Sequence, residues 1–562
     1  MTAAATLPSP APAVPAARGP GFWTLVSVGA WAILTLFLIV PLGSVLLSSL
    51  RDDAGHLTLA NWAQLFSRPR YWNAFVNTLV VGFGGLAGAM LLGSVMAFCM
   101  ARIRIRGSRV ISMMAILALV SPPFIGAYSW IVLFGSGGLV RQGLMSAGFE
   151  MPPIYGLTGI LIVFAFKFYP YVYLLTAGAL ANVNRSLEEA AENLGLSPFR
   201  RMLAISFPLV LPALSAGGLL ALIHSIADFG TPRLIGRGYN VLATEAYTAY
   251  SAEIGSNLGM ATTLSLALIL LSMVFVFAQR FISRRNVYHG NLINKPEKKE
   301  LKGLANVAAH AAVYFIALGG ALPAIVTAIY SIRKTSGPVF QPGFGLDSYR
   351  RIALTLGNVV VNSLTFSFAA VALIVVVGTL IGAYVARRST LNASMIDSTL
   401  MIPYVMPGIV VGVAFIATFN TPPLVMTGTA AIIVLSVFIR RLPYAVRSSA
   451  AALRQVSPSL EEAAISLGYS PVRAFWRVTV PLIMPGIIAG AMLSFVTAIN
   501  ELSSSLVLYV GGTITMPVRI YISINDGDYG TAAALSTILL ALSAGAISLA
   551  FRLLGREERA LL

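Results

Sequence analysis

Charge is scarce in this sequence. Only 10% of its 562 residues are Asp, Glu, Lys or Arg, against about a quarter in soluble domains. With 57% hydrophobic residues and a mean hydropathy of +0.83, it reads as a chain whose solvent is the bilayer. Cysteine is nearly absent: Cys99, inside an apolar run, is alone, which excludes an internal disulfide framework. The four histidines, His56, His224, His289 and His310, are too scattered to suggest a metal site. No lysine follows a glycine, so the G-x-x-x-x-G-K-[ST] phosphate loop is missing and the chain cannot hydrolyse ATP by that route. No triad, dyad or metal cluster of an enzyme stands out. Acids are outnumbered, 20 against 38 Lys and Arg, but the bases fall in short loops between apolar runs. That pattern argues against a nucleic-acid-binding face and follows the positive-inside rule.

Apolar runs able to cross about 30 Å of hydrocarbon lie near 22–50, 72–101, 110–135, 154–182, 207–229 and 258–282, and again near 307–332, 358–386, 395–420, 428–453, 480–501 and 529–553. The expectation is an all-α membrane protein of about twelve transmembrane helices, six in each half. The Ala- and Pro-rich residues 1–21 read as a disordered cytoplasmic tail, 22–282 as a first unit starting with an uncleaved span, 283–306 as a basic cytoplasmic linker, 307–553 as a second unit and 554–562 as a cytoplasmic tail. With both termini inside, about two dozen Lys and Arg fall on the cytoplasmic side against eleven on the other, with Lys167, Arg440 and Arg441 left within spans.

The two halves repeat one another. "SFPLVLPALSAGGLLALI" (206–223) matches "TVPLIMPGIIAGAMLSFV" (479–496), "KFYPYVY" (167–173) matches "RRLPYAV" (440–446), and "FVNTLVVG" (75–82) matches "VVNSLTFS" (360–367). Six spans separate equivalent points, so the halves are parallel, related by an axis along the membrane normal. A pathway at their interface is the natural expectation.

The most polar part of the repeat is "SLEEAAENLGLSP" (186–198) and "SLEEAAISLGYSP" (459–471), identical at 10 of 13 positions. Ser186 with Glu189, and Ser459 with Glu462, have the spacing of a capping box. Gly195 and Gly468 suit a left-handed helix end, and Pro198 and Pro471 the first turn of the next helix. A helix of about two turns, too short to stand alone and too polar for the bilayer, needs a partner surface. A headgroup-lying helix favours basic residues and bulky apolar ones, whereas here glutamates lead into alanine.

These two phrases, each followed by an apolar stretch with two prolines (Pro208 and Pro212; Pro481 and Pro485), resemble the coupling-loop motif of binding-protein-dependent ATP-binding-cassette importers. The resemblance covers nearly the whole chain and implies the type I ABC importer permease fold. It also implies that the short helices dock on two copies of a separate ATPase subunit, which would carry the ATP and Mg; no cofactor is expected on this chain. Glu188, Glu189, Ala190, Ala191 and Gly195, with Glu461, Glu462, Ala463, Ala464 and Gly468, would be the docking elements. An external periplasmic or lipoprotein solute-binding protein and the lipid of the bacterial inner membrane complete the implied partners, and no nucleic acid is among them. "ADFGTP" (227–232) and "NELSSSLVLY" (500–509) look most like the ferric-iron permease group, whose relatives include permeases for 2-aminoethylphosphonate, sugar phosphates and, more distantly, polyamines. An ion-gradient-driven secondary transporter is the rival class. Such a carrier would keep working without the repeated phrase, whereas an importer would lose its ATPase.

Four ionisable residues fall within or at the ends of spans at the shared offset: Lys167 and Arg440, Asp228 and Glu501. Charges at such depth face a cavity or a partner. Either they line the pathway, acids receiving a cation or bases an anion, or they pair, Lys167 with Asp228 and Arg440 with Glu501. The tyrosines of "FYPYVYLL" (168–175) offer oxygens to a hard cation or simply pack. Loops near 51–71, 136–153, 230–257, 333–357 and 502–528 would face the binding protein.

Overall fold

In a bilayer every backbone polar group must be satisfied internally, which leaves helices as the means for these apolar runs to cross. The computed structural model of the chain describes residues 21–52, 54–252, 257–285, 298 and 300–554. Most of the expected N-terminal tail, the core of the linker at 286–297, and the C-terminal tail lie outside the described residues.

Among the described residues, nine helices are long and apolar enough to span, and eleven spans result if two sharply bent pairs each count as one. The count falls one short of the expected twelve, and one counted span, Phe124–Ser146, is shifted from the run expected at 110–135. The run at 110–135 is two helices, Ser108–Val120 and Pro123–Phe134. Pro122 pushes Ser121 to an extended ψ of 130°, as a residue before proline must go. The helix Ala430–Arg454 is 25 residues long, but Arg440, Arg441 and Arg447 make it too charged for that count. The run at 395–420 breaks as its counterpart does: Leu391–Val405 and Gly408–Phe419 meet at 108°, with Met406 extended before Pro407. The run at 480–501 also bends, by 74° between Pro471–Leu482 and Met484–Ile499, whereas its counterpart Phe207–Ala227 carries Pro212 unbroken.

The halves pack by the same device. A Cβ on Gly93 would lie 2.6 Å from Val172 Cβ, and one on Gly378 2.6 Å from Ala445 Cβ, the residue equivalent to Val172. Close approach through small residues is how helices associate where lipid removes the hydrophobic drive. The helices Pro69–Arg102 and Leu157–Ala181 are thereby held together in the first half, and Gly357–Arg387 and Ala430–Arg454 in the second.

The first helix of each half packs across the boundary. Phe22–Ser49 lies against Gly357–Arg387 and Gly408–Phe419, and Gly303–Ser331 lies against Pro69–Arg102, Ser108–Val120 and Pro123–Phe134. Trp31 Nε1 donates to Asn392 Oδ1 at 2.7 Å, and Ser129 Oγ donates to the Pro323 carbonyl at 2.9 Å. Each of these first helices also packs on the last helix of its own half, Leu258–Arg285 or Tyr529–Leu553, and so bridges the two halves.

On the face opposite the repeated phrase the connections are folded. They form the helices Ala60–Ser67, Leu139–Ser146, Leu242–Ser251, Asp347–Thr355 and Met516–Asn525 and an antiparallel hairpin of Arg333–Ser336 with Val339–Phe344.

Candidate functional site

The repeated phrase forms two short helices, Arg185–Asn193 and Ser459–Ser466. Their starts differ from the capping boxes expected at Ser186 and Ser459. Asn184 is the N-cap of the first, its Oδ1 accepting from Ser186 N–H at 3.0 Å. Ser457 Oγ accepts from Ser459 N–H at 3.4 Å in the second. A polar residue one or two positions upstream takes the orphan amides first, so the serines fall inside the helix. The closing turns match expectation. Gly195 (φ +79°) and Gly468 (φ +93°) are left-handed, and Leu196 N–H reaches the Ala191 carbonyl as Tyr469 N–H reaches that of Ala464, at 3.0 and 3.1 Å. Both are Schellman ends. Pro198 and Pro471 then open the next helices, each running into a π-helical turn, Met202–Ser206 and Phe475–Thr479.

The ten expected docking residues do not share one environment. Glu189, Ala190, Gly195, Glu462, Ala463 and Gly468 are exposed. Ala191 and Ala464 are buried against the chain itself, because the alanine face is what seats each helix on the π turn behind it. Glu461 is half-buried and accepts from Thr479 Oγ1 at 2.9 Å. The side chain of Glu188 lies outside the described residues. Sequence reasoning missed Leu194 and Leu467, which stand 79% and 83% exposed at the tips of the two helices. The Leu-Gly repeated in both copies was the available signal.

Deeper in the chain, the second candidate group is built from the kinked, broken and ended spans of each half. Leu157–Ala181 carries Lys167 three residues before its internal Pro170, and Ala430–Arg454 carries Arg440 three residues before Pro443. Asp228 and Glu501 stand just past the ends of Phe207–Ala227 and Met484–Ile499. The structure joins them in pairs. Lys167 Nζ donates to Asp228 Oδ2 at 3.0 Å; Arg440 donates to Glu501, and Arg441 Nη2 donates to the same oxygen at 2.6 Å. The other carboxylate oxygen of each acid accepts a backbone amide, Thr231 N–H at 2.8 Å and Ser504 N–H at 3.2 Å. Each acid is therefore at once an ion-pair partner and the cap of the next short segment. Both are buried, 7% and 5% exposed.

The broken spans close over these pairs. A Cβ on Gly408, where the second half's broken span resumes, would sit 2.7 Å from Glu501 Oε1 and 2.8 Å from Arg440 Nη1. In the first half Ser121 and Pro122 line, with Lys167, a small cleft that Trp130, Phe166 and Gly320 also border. A second small cleft, beside Glu501, is edged by Ser363, Ser367, Ser505 and Thr515. Arg441 joining Glu501 was not foreseen; its counterpart by offset is Phe168.

The tyrosines are divided among packing roles. Tyr173 shares a hydrogen bond with Ser112 at 3.0 Å, Tyr171 lies 4.8 Å from the His224 ring, and Tyr169 is fully buried. Among the described residues no group of three or more His, Cys, Asp or Glu could hold a metal ion.

The sequence profile of the family described as "binding-protein-dependent transport system inner membrane component" matches the chain twice, at residues 89–288 and 374–556. Similar proteins include the ferric transport system permease protein FbpB of Actinobacillus pleuropneumoniae, 28% identical over 82% of this chain and 68% of that one. The Fe(3+)-transport system permease protein FbpB 2 of Haemophilus influenzae is 25% identical over 94% and 97% respectively. The putative 2-aminoethylphosphonate transport system permease protein PhnU of Salmonella typhimurium is 32% identical over 45% of this chain and 92% of its own. Two family matches, one per half, on a fold of paired helical repeats make this chain a member of the inner membrane components of binding-protein-dependent transport systems, an ABC transporter permease with its two repeats fused.

Proposed function

We propose that this chain is the permease of an ATP-driven importer that receives iron(III) from an external solute-binding protein and releases it to the cytoplasm. The observation that carries the reading is the pair of short helices at 185–193 and 459–466, each closed by a left-handed glycine and projecting an exposed leucine. A helix of two turns with an exposed apolar tip calls for a groove on another protein, and two copies call for two. Separate ATPase subunits, one on each helix, would bind ATP with Mg, close, and draw the helices together. The units 22–282 and 307–553 would tip from inward-open to outward-open, with the termini, the linker 283–306 and both short helices on the cytoplasmic side.

Lys167, Asp228, Arg440 and Glu501 would stand along the pathway between the units, paired in the state described above. Iron is favoured as cargo because the FbpB relatives match along both repeats, up to 94% of the chain. The PhnU relative matches over 45% of it.

Uptake of labelled ferric iron in cells with and without the gene tests the assignment, with unlabelled 2-aminoethylphosphonate, a sugar phosphate and a polyamine as competitors. Loss of iron uptake on deletion, unaffected by competitors, is the expected result. Unchanged iron uptake, with uptake of one competitor lost instead, would overturn the iron assignment and leave the importer.

A further inference from the structure

The two halves are not electrically equivalent at their centre. In the first, one base meets one acid, Lys167 with Asp228. In the second, Arg440 and Arg441 share the single carboxylate of Glu501. Position 441 is the source of the difference, since the matching position in the first half is Phe168.

Glu501 brings one negative charge to two cations. Both guanidinium groups converge on Oε2, and Oε1 takes the Ser504 amide. Arg440 Nε and Arg441 Nε are buried donors without an acceptor, and among the described residues neither arginine meets a second carboxylate. The groups around Arg441 come from both halves and are neutral. Its guanidinium lies 6.0 Å from the Tyr444 ring, Tyr404 and Tyr444 stand 5.5 Å apart, and Tyr171 of the first half is within electrostatic reach of all three. His224 is in the same neighbourhood.

An aromatic ring softens a buried cation but does not neutralise it. One surplus positive charge therefore sits where the halves meet, in a medium that penalises it and attracts an anion. The guanidinium fork suits an oxyanion.

We infer that Arg441 is an oxyanion-binding residue of the pathway, so that the cargo crosses the centre of the protein as an anion. This rests on the permease reading above and narrows its substrate class. A bare trivalent cation would be repelled by the surplus charge, whereas ferric iron coordinated by oxyanions, or an organic phosphonate alone, would be drawn in.

The test uses the full-length protein in detergent, with inorganic phosphate and 2-aminoethylphosphonate as probes against chloride at constant ionic strength. The oxyanions are expected to raise the melting temperature of the wild type and of Arg441→Lys. Arg441→Phe, which installs the first half's own residue, should weaken phosphate binding by about tenfold or more, as loss of a charge-assisted contact does. Equal responses in wild type and Arg441→Phe would mean an adventitious ion only and overturn the inference. Absence of any response in the wild type overturns it even if the Phe variant fails to fold.

Uptake separates the two sources of the oxyanion. If labelled iron enters only when phosphate is supplied and Arg441→Phe loses it, the anion travels with the metal. If cells import no iron but labelled phosphonate enters through Arg441, the iron reading fails and the anion inference stands. Iron entering equally with Phe or Arg at 441 would leave the iron reading intact and sink this one.

Discussion

Replacing Asp228 by asparagine would strand Lys167, whose ammonium now lies 3.0 Å from the carboxylate with 13% of its side chain exposed. Asparagine keeps an oxygen for the Thr231 amide, so the change isolates the charge. Removing one partner of a buried ion pair costs about 3–5 kcal/mol, whereas removing both is often neutral or stabilising. At about 2 °C per kcal/mol for a unit of this size, Asp228→Asn should lower the melting temperature by about 6–10 °C. Lys167→Met, which strands the carboxylate instead, should fall by a similar amount. The double variant Lys167→Met/Asp228→Asn should return to within about 2 °C of wild type. The assay is size-exclusion of the detergent-purified chain after heating, reading the monodisperse fraction against temperature. A double variant that melts as low as the worse single one would refute the pairing, because two residues serving separate roles show no such rescue.

Four further outcomes follow from the same geometry. Glu501→Gln strands two guanidinium groups where Asp228→Asn strands one ammonium, so it should melt lower still; equal losses would count against the shared carboxylate. Gly408→Ala places a Cβ 2.6 Å from Ser503 Cβ and 2.7 Å from Glu501 Oε1, and the overpacking should cost about 1–3 kcal/mol in the same melt; an unchanged melt would mean the break relaxes freely. Leu194→Asp combined with Leu467→Asp should abolish copurification of the ATPase while leaving the melting temperature unchanged, since both leucines are exposed; retained ATPase would remove these tips from the docking surface. Gly468→Val strains a helix end held at φ +93° by about 1–2 kcal/mol and should raise ATP consumed per solute imported, measured in vesicles; an unchanged ratio would separate this turn from coupling.

The sequence was most legible where chemistry is local or repeated. Hydropathy located the long spans because apolarity over about 20 residues is itself the cause of spanning. The glycine ends of the short helices were legible because few other residues accept a positive φ. What escaped depended on competition and on distance. Ser186 and Ser459 have capping spacing, but Asn184 and Ser457 reach the free amides first. The alanines of the repeated phrase looked like a docking face, yet Ala191 and Ala464 are consumed in seating the helices on their own chain. Pro122 and Pro407 were visible as residues, but run-length counting passes over a single proline, and the breaks they cause define the ion-pair site. The pairing of Lys167 with Asp228 stood as one of two alternatives, and the structure adopts it; no pattern reported that Arg441 would join Glu501.

That the first helices bridge the halves has a consequence for how the protein is made. Trp31 leaves the ribosome long before Asn392, the residue 361 positions later to which it hydrogen-bonds. At about 5–20 residues per second the wait is roughly 20–70 s. During that interval the Phe22–Ser49 helix can already pack on Leu258–Arg285 of its own half, but Ser27 and Trp31 stay unmatched. Each half is thus an incomplete folding unit until the other has been synthesised, and joining them in one chain keeps the two partners in reach of each other during assembly.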